Sequence, residues 1–253
     1  MRRRAVLFDL DDTLFDHHRS SRAALQRVHA ASPAADRATY EAFERHHSRF
    51  LEEMHIEVLA GRVGLDEARR ERFRRVFAAL GVEVTSGETA SAAAAYRAGY
   101  LEARRPMPGA VDLLAALKPK VRIAIVSNNL VEEQREKLDV CGLAPYVDAL
   151  VVSEEVGVSK PDAAIFQAAL TRVDVEASAA IMVGDSWQAD VAGAAAAGIV
   201  PVWFNPWRRP RPAEPGGVEE LSAWTPARTV AARLLRVLDT VTEDREPRRA
   251  RRH

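Results

Sequence analysis

Five short apolar runs, Ala5 to Phe8, Val121 to Val126, Ala149 to Val152, Ala179 to Val183 and Val200 to Phe204, are each bounded by polar residues or glycine. Continuous runs of this length read as strands buried on both faces. Between the last four lie segments of helical periodicity: Val131 to Cys141, Pro161 to Val173 and Trp187 to Ala197. The second of these opens with proline at a favourable first-turn position. Such alternation predicts an α/β protein in which crossover helices link a parallel sheet.

The alternation breaks between the first strand and the second. From about Arg19 to Arg104 no strand is evident, whereas Leu65, Ala68, Phe73, Val76, Phe77 and Leu80 repeat at helical spacing before Gly81, and Ala90 to Tyr100 forms another helical run. Pro106, Pro108 and Gly109 mark the return, and Val111, Leu113, Leu114 and Leu117 form a helix feeding the second strand. The expected organisation is an α/β core of residues 1–16 and 106–242, an inserted all-helical cap of residues 17–105, and a disordered tail of residues 243–253. The proline-rich stretch Asn205 to Gly217 reads as a surface loop, and Trp203, Phe204 and Trp207 as packing for the last strand.

Charge and cysteine content narrow the function classes. The 36 basic and 36 acidic side chains cancel, so no overall field draws the chain to nucleic acid or an anionic membrane. Arg2 to Arg4 and Arg248 to Arg252 read as solvated tips. The lone Cys141 cannot make an internal disulfide, which fits a reducing compartment, with cytoplasm as the default. The apolar run after the N-terminal arginines is too short for an export signal. Val191 to Phe204, the longest uncharged apolar-rich stretch, falls short of the ~20 residues that span a bilayer.

Four segments carry candidate chemistry. The first strand runs into FDLDDTLFD, which puts Asp9, Asp11 and Asp12 at the strand's carboxyl end, where parallel sheets bind ligands. Acidic residues there also form Asx turns and cap helices. Crowded carboxylates repel, however, and a cation among them relieves that repulsion. No glycine and distal glutamate follow at EF-hand spacing. The second strand ends in Ser127, Asn128 and Asn129, a turn able to hold phosphate oxygens or simply to start a helix. Lys160, one of only four lysines, precedes Pro161. The fourth strand ends in Gly184, Asp185 and Ser186, with Asp190 at the start of the next helix. Aspartates gathered from two strand ends make an oxygen-rich pocket suited to Mg²⁺.

Taken in order, DxDxT, Ser127, Lys160-Pro161 and GDxxxxD resemble the haloacid dehalogenase-like hydrolase superfamily, most members of which are magnesium-dependent phosphatases. The resemblance covers nearly the whole chain. The inserted segment resembles the four-helix type of cap (C1, subfamily I). The runs PGAVDLLAALK, VSEEVGVSKPDAAIF and MVGDSWQADVAGAAAAGI are similar to the branch that includes pyrimidine 5'-nucleotidases and N-acylneuraminate 9-phosphatases. The resemblance implies a Rossmann-like three-layer core.

It also implies roles. Asp9 would be the nucleophile and Asp11 the general acid and base. Asp9, the Asp11 main-chain carbonyl and Asp185 would hold Mg²⁺. Ser127, N–H groups around Asn128 and Lys160 would bind the phosphoryl oxygens. Thr13, Ser186 and Asp190 would support them, Asp190 by positioning Lys160 or a metal-bound water. Two departures from the pattern are Asp12, where many relatives carry glycine, and the bulky Trp187. Arg62 and His17 are the candidate substrate contacts in the inserted segment, where His18, His46, His47 and His55 also lie. Asp11, together with the absence of lysine from residues 17–105, counts against dehalogenase and phosphonate-cleaving chemistry. The expected reaction is hydrolysis of a small phosphorylated metabolite, a nucleoside monophosphate or sugar phosphate, without nucleic-acid or membrane partners. A phosphomutase, or a regulatory module that retains the metal and phosphate site, are the alternatives.

Overall fold

A computed structural model describes residues 3–243, which divide into two compact units: residues up to Asp16 together with those from Pro106 onward, and His17–Arg105. The first is built on six strands in the order β3-β2-β1-β4-β5-β6, all neighbours parallel. These are β1 (Ala5–Phe8), β2 (Arg122–Ser127), β3 (Ala149–Val152), β4 (Ala180–Gly184), β5 (Val200–Phe204) and β6 (Glu219–Leu221). The N-terminal strand thus lies in the middle, with Phe8 opposite both Ile125 and Val183. That register brings the carboxyl ends of β1, β2 and β4 to one edge.

The central strands are apolar throughout because helices cover both faces. Ala5, Leu7, Ala124, Val126 and Met182 share a buried cluster with Ile165, Phe166 and Ala169 of α8 (Ala163–Val173). Phe8 points the other way, with its ring centroid 6.4 Å from that of Trp224. The helix α10 (Ala227–Glu243) packs on α5 (Ala110–Leu117) and on β4. The shorter α7 (Ser153–Val156) follows β3, α6 (Val131–Val140) joins β2 to β3, and α9 (Gly193–Ala196) precedes β5. This is the expected Rossmann-like arrangement of layers about a parallel sheet.

Several local expectations need correction. The strand β6 escapes a periodicity argument because two of its three residues are glutamates; as an edge strand it needs only Leu221 inward. Pro161 does not open α8. Asp162 is the N-cap, its side chain accepting from the Ala164 N–H at 2.8 Å, so proline falls just outside the helix. The segment after β4 is not one α-helix but a π-helical turn, Trp187–Ala192, followed by α9. Trp207 is not packed on β5: it is exposed, with the Arg209 guanidinium 4.6 Å from its ring centroid, while Trp203 and Phe204 are buried. Arg3 and Arg4 are not free tips, since they pair with Asp174 and Asp239. The tail assigned to 243–253 begins too early, because Glu243 ends α10; Arg2, Arg248 to Arg252 and the rest of that tail lie outside the described residues.

The second unit is four helices, α1 (His17–Ala30), α2 (Tyr40–Leu59), α3 (Leu65–Ala79) and α4 (Ser86–Ala103). Glycine at position 81, with φ +67°, terminates the third, and a capping box between Thr85 and Glu88 starts the fourth. Helix α1 packs against α4 so closely that a Cβ on Gly99 would lie 3.2 Å from the Ala24 Cα. Phe43, His47, Phe73, Phe77 and Tyr96 form the aromatic interior. No described helix is long and apolar enough to cross a membrane.

Candidate active site

Asp9 leaves β1 as its first residue beyond the buried apolar tetrad, and its backbone N–H donates to the Val183 carbonyl at 2.9 Å. It is therefore fixed against β4. The following turn places Asp12 at φ +60°, the left-handed region that glycine tolerates freely and aspartate better than most residues. This accounts for an aspartate standing where glycine is expected. The Asp12 N–H donates to the Phe15 carbonyl at 2.7 Å and closes the turn.

Lys160 reaches this edge from the loop before α8. Its buried Nζ donates to Asp9 Oδ1 and Asp190 Oδ1, both at 2.7 Å. Asn128 fixes the loop that carries it: Asn128 Oδ1 accepts from the Lys160 N–H at 2.7 Å, and Nδ2 donates to the Lys160 carbonyl at 2.9 Å. Burial opposes charge on Lys160, but Asp190 and Asp9 outweigh it and hold the ammonium above the usual lysine range.

Asp185 and Asp190 come from the far end of β4. Thr13 Oγ1 accepts from the Asp185 N–H at 3.2 Å, tying the first turn to this loop, while Trp203 Nε1 donates to the Asp185 carbonyl at 2.9 Å. Trp224 Nε1 secures the same turn by donating to the Thr13 carbonyl at 2.8 Å. Ser186 caps the π-helical turn, its Oγ accepting from Ala189 N–H and its own N–H donating to Asp190 Oδ2 at 3.0 Å. Gly184 makes the approach feasible, since a Cβ there would lie 2.3 Å from the Asp190 carboxyl carbon. Trp187 turns away into a small cluster with Trp203, Val191 and Val218.

One carboxylate oxygen from each of Asp9, Asp185 and Asp190 lies within 4.8 Å of the others, a spacing that admits a metal ion. Three carboxylates meet one ammonium, so negative charge is in excess. Burial, reinforced by Asp190 and Asp11 and opposed by Lys160, pushes the Asp9 carboxyl up to about 7. Burial and the charges of Asp9, Asp190 and Asp12 push Asp185 up to about 8, despite Arg209 at 3.5 Å. Acids disfavoured as anions by their own crowding, with hard oxygen donors converging, fit a small divalent cation such as Mg²⁺.

The remaining candidates are placed as follows. The Asp11 carboxylate is outside this group of three; it accepts from Lys137 Nζ at 2.6 Å, Gln134 Nε2 at 2.8 Å and Asn129 Nδ2 at 3.2 Å. Ser127 Oγ accepts from Gln134 Nε2 at 2.8 Å. In the helical unit, Arg62 forks onto Glu57 at 2.6 and 2.8 Å, and the His17 ring bonds the Tyr100 hydroxyl at 2.9 Å. Lys137, Gln134, Trp203, Trp224 and Arg209 were not singled out from the sequence as site residues. A scarce lysine was the available signal for the first of them.

A model of haloacid dehalogenase-like hydrolases matches residues 3–198. The chain is 36% identical over 212 residues to the ribulose-1,5-bisphosphate 5-phosphatase of Halopiger xanaduensis, covering 80% of this chain and 84% of that protein. It is 41% identical over 108 residues to the pyrimidine 5'-nucleotidase YjjG of Escherichia coli, covering 42% of this chain and 48% of that one. The latter lies in the branch that the motif runs resemble. Among solved structures, the HAD-hydrolase YfnB of Bacillus subtilis, bound to magnesium, superposes with a TM-score of 0.71 at 25% identity, covering 91% of this chain and 99% of that one. Because the family match includes every aspartate and lysine gathered at the sheet edge, the chain belongs to the haloacid dehalogenase-like hydrolase family.

Proposed function

We propose that this protein is a Mg²⁺-dependent phosphatase that hydrolyses a small phosphomonoester, a nucleoside monophosphate or sugar phosphate, through an aspartyl-phosphate on Asp9. The observation that carries the reading is Asp9 itself: a carboxylate at the carboxyl end of the central strand, oriented by Lys160 at 2.7 Å and grouped with Asp185 and Asp190. Phosphatase activity in relatives as different as the two described is consistent with shared chemistry and divergent substrates.

Asp9 and Asp185, with the Asp11 main-chain carbonyl, would hold Mg²⁺, and Asp190 adds the third carboxylate of the same group. When bound, the ion supplies positive charge that offsets repulsion between a carboxylate and a phosphate dianion. Asp9 attacks phosphorus, the P–O bond to the leaving group breaks, and one difficult hydrolysis becomes two displacements. Asp11 protonates the departing alkoxide and then takes a proton from the water that cleaves the aspartyl-phosphate. Lys160 and Ser127, with N–H groups near Asn128, neutralise and orient the non-bridging oxygens. Asp190 and Thr13 fix Lys160 and the first turn, and Arg62 and His17 are the proposed substrate contacts of the helical unit.

The test is phosphate release from a panel of phosphorylated metabolites in Mg²⁺. Asp9→Asn should lose turnover by at least about 10³-fold while remaining folded, since removing a covalent nucleophile leaves only binding and electrostatic terms. Undiminished release by that variant would eliminate the proposed mechanism.

A further inference from the structure

The aspartate that stands apart from the metal-capable group has its own buried cation. Lys137 and Gln134 lie three residues apart on α6 and so share a face, and both turn inward, Lys137 at 3% exposure and Gln134 at 0%. Lys137 Nζ meets Asp11 Oδ1, and Gln134 Nε2 and Asn129 Nδ2 meet Oδ2. The same ammonium lies 5.2 Å from the centroid of the Phe15 ring, and the same Gln134 amide donates to Ser127. Burying an ammonium is costly unless it is paired, and here Asp11 is the pairing carboxylate. The site therefore holds two separate charge groups: Lys160 serves Asp9 and Asp190, while Lys137 serves Asp11.

We propose that Lys137, assisted by Gln134, is a positioning residue that keeps the Asp11 carboxylate out of the cation site and free to exchange a proton with the leaving group. This rests on the phosphatase reading and extends it. Without the ammonium, a carboxylate two residues from Asp9 can swing onto the metal as an additional ligand and is lost as an acid. The experiment uses the full chain with Lys137→Met and Lys137→Arg. It measures Mg²⁺ affinity by calorimetry, and turnover of an alkyl phosphomonoester against p-nitrophenyl phosphate, whose leaving group needs little protonation.

For Lys137→Met, kcat on the alkyl ester is expected to fall by about 10- to 100-fold, at or below the ~10²-fold lower end of what general acid catalysis supplies, because the acid is displaced and not removed. KM should be unchanged, Mg²⁺ should bind more tightly, and turnover of p-nitrophenyl phosphate should fall less than that of the alkyl ester, because its leaving group needs no acid and only hydrolysis of the shared aspartyl-phosphate still calls on Asp11 as base. Lys137→Arg should restore part of the alkyl turnover. Equal losses on both substrates with unaltered Mg²⁺ affinity, or no loss at all, overturns the role. If Lys137→Met does not fold, Gln134→Leu, which retains the lysine, is read for the same split, and its absence overturns the role equally. Activity that survives Asp9→Asn instead refutes the phosphatase reading itself, so the two failures are distinguishable.

Discussion

Gly184 illustrates how one missing side chain organises the site. A Cβ there would meet the Asp190 carboxyl carbon at 2.3 Å and its Cβ at 2.6 Å, and Asp190 cannot retreat without releasing Lys160 and the Ser186 N–H. Gly184→Ala is expected to lower phosphate release by about 10²-fold or more, through the misplaced lysine. It should cost about 1–3 kcal/mol of stability by overpacking. Urea unfolding alongside the release assay checks both, and wild-type turnover in the variant would contradict the argument. At this scale the sequence was informative where chemistry clusters along the chain: Asp9, Asp11 and Asp185 stand in short polar motifs at strand ends, Lys160 just before α8 and Asp190 in the turn after β4. For Lys137 it offered only the scarcity of lysine, because Glu132, Glu133, Arg135, Glu136 and Asp139 surround it and α6 reads as a solvated helix. Only the packing of α6 turns that lysine inward. Trp203 and Trp224 were obscured differently, since an apolar body that explains burial leaves the indole N–H unassigned.

Among the elements, α2 carries a group with a clear pH signature. His47 is fully surrounded by the helical unit, its ring centroid 4.7 Å from that of Tyr96 and 5.4 Å from that of Phe73, and its buried Nε2 has no hydrogen-bond partner among the described residues. Burial, and then the nearby Arg72 and His17 charges, hold this imidazole well below its usual range. The unfolded chain therefore binds a proton near pH 6.5 that the folded unit refuses, so stability is full above that value and declines as pH falls below it. His47→Leu should flatten the decline between about pH 6.5 and 5, measured as denaturation midpoints across pH; an unchanged slope would sink this assignment. The short elements were the least legible. The strand β6 has too few apolar residues to announce itself, and the π-helical turn after β4 shares the composition of an ordinary helix start. Such turns recur at functional sites, and this one carries Asp190.

For the whole molecule, the decisive feature is that one unit interrupts the other. Phe15 bridges to Pro106, and the Met107 N–H donates to the Leu14 carbonyl at 2.8 Å, so the chain leaves and re-enters the α/β unit at adjacent points. Replacing residues 17–105 with a short glycine-serine linker is therefore expected to leave that unit folded, because closing a small loop between adjacent ends costs little. Cooperative thermal unfolding and retained Mg²⁺ binding check this; a molten or aggregated product would contradict it. This organisation was readable from the sequence because strand and helix periods differ and the interruption is long. Substrate preference was not, because Arg62 and His17 are already engaged with Glu57 and Tyr100 and no motif marks their function. The central place of β1 has a consequence for biosynthesis. A ribosome delivers Ala5 to Phe8 long before either partner strand, which begin at Arg122 and Ala180, so this adhesive tetrapeptide waits unpaired in the nascent chain. Arginines on one flank and Asp9, Asp11 and Asp12 on the other act as gatekeepers against self-association, giving those acids a duty that precedes any turnover.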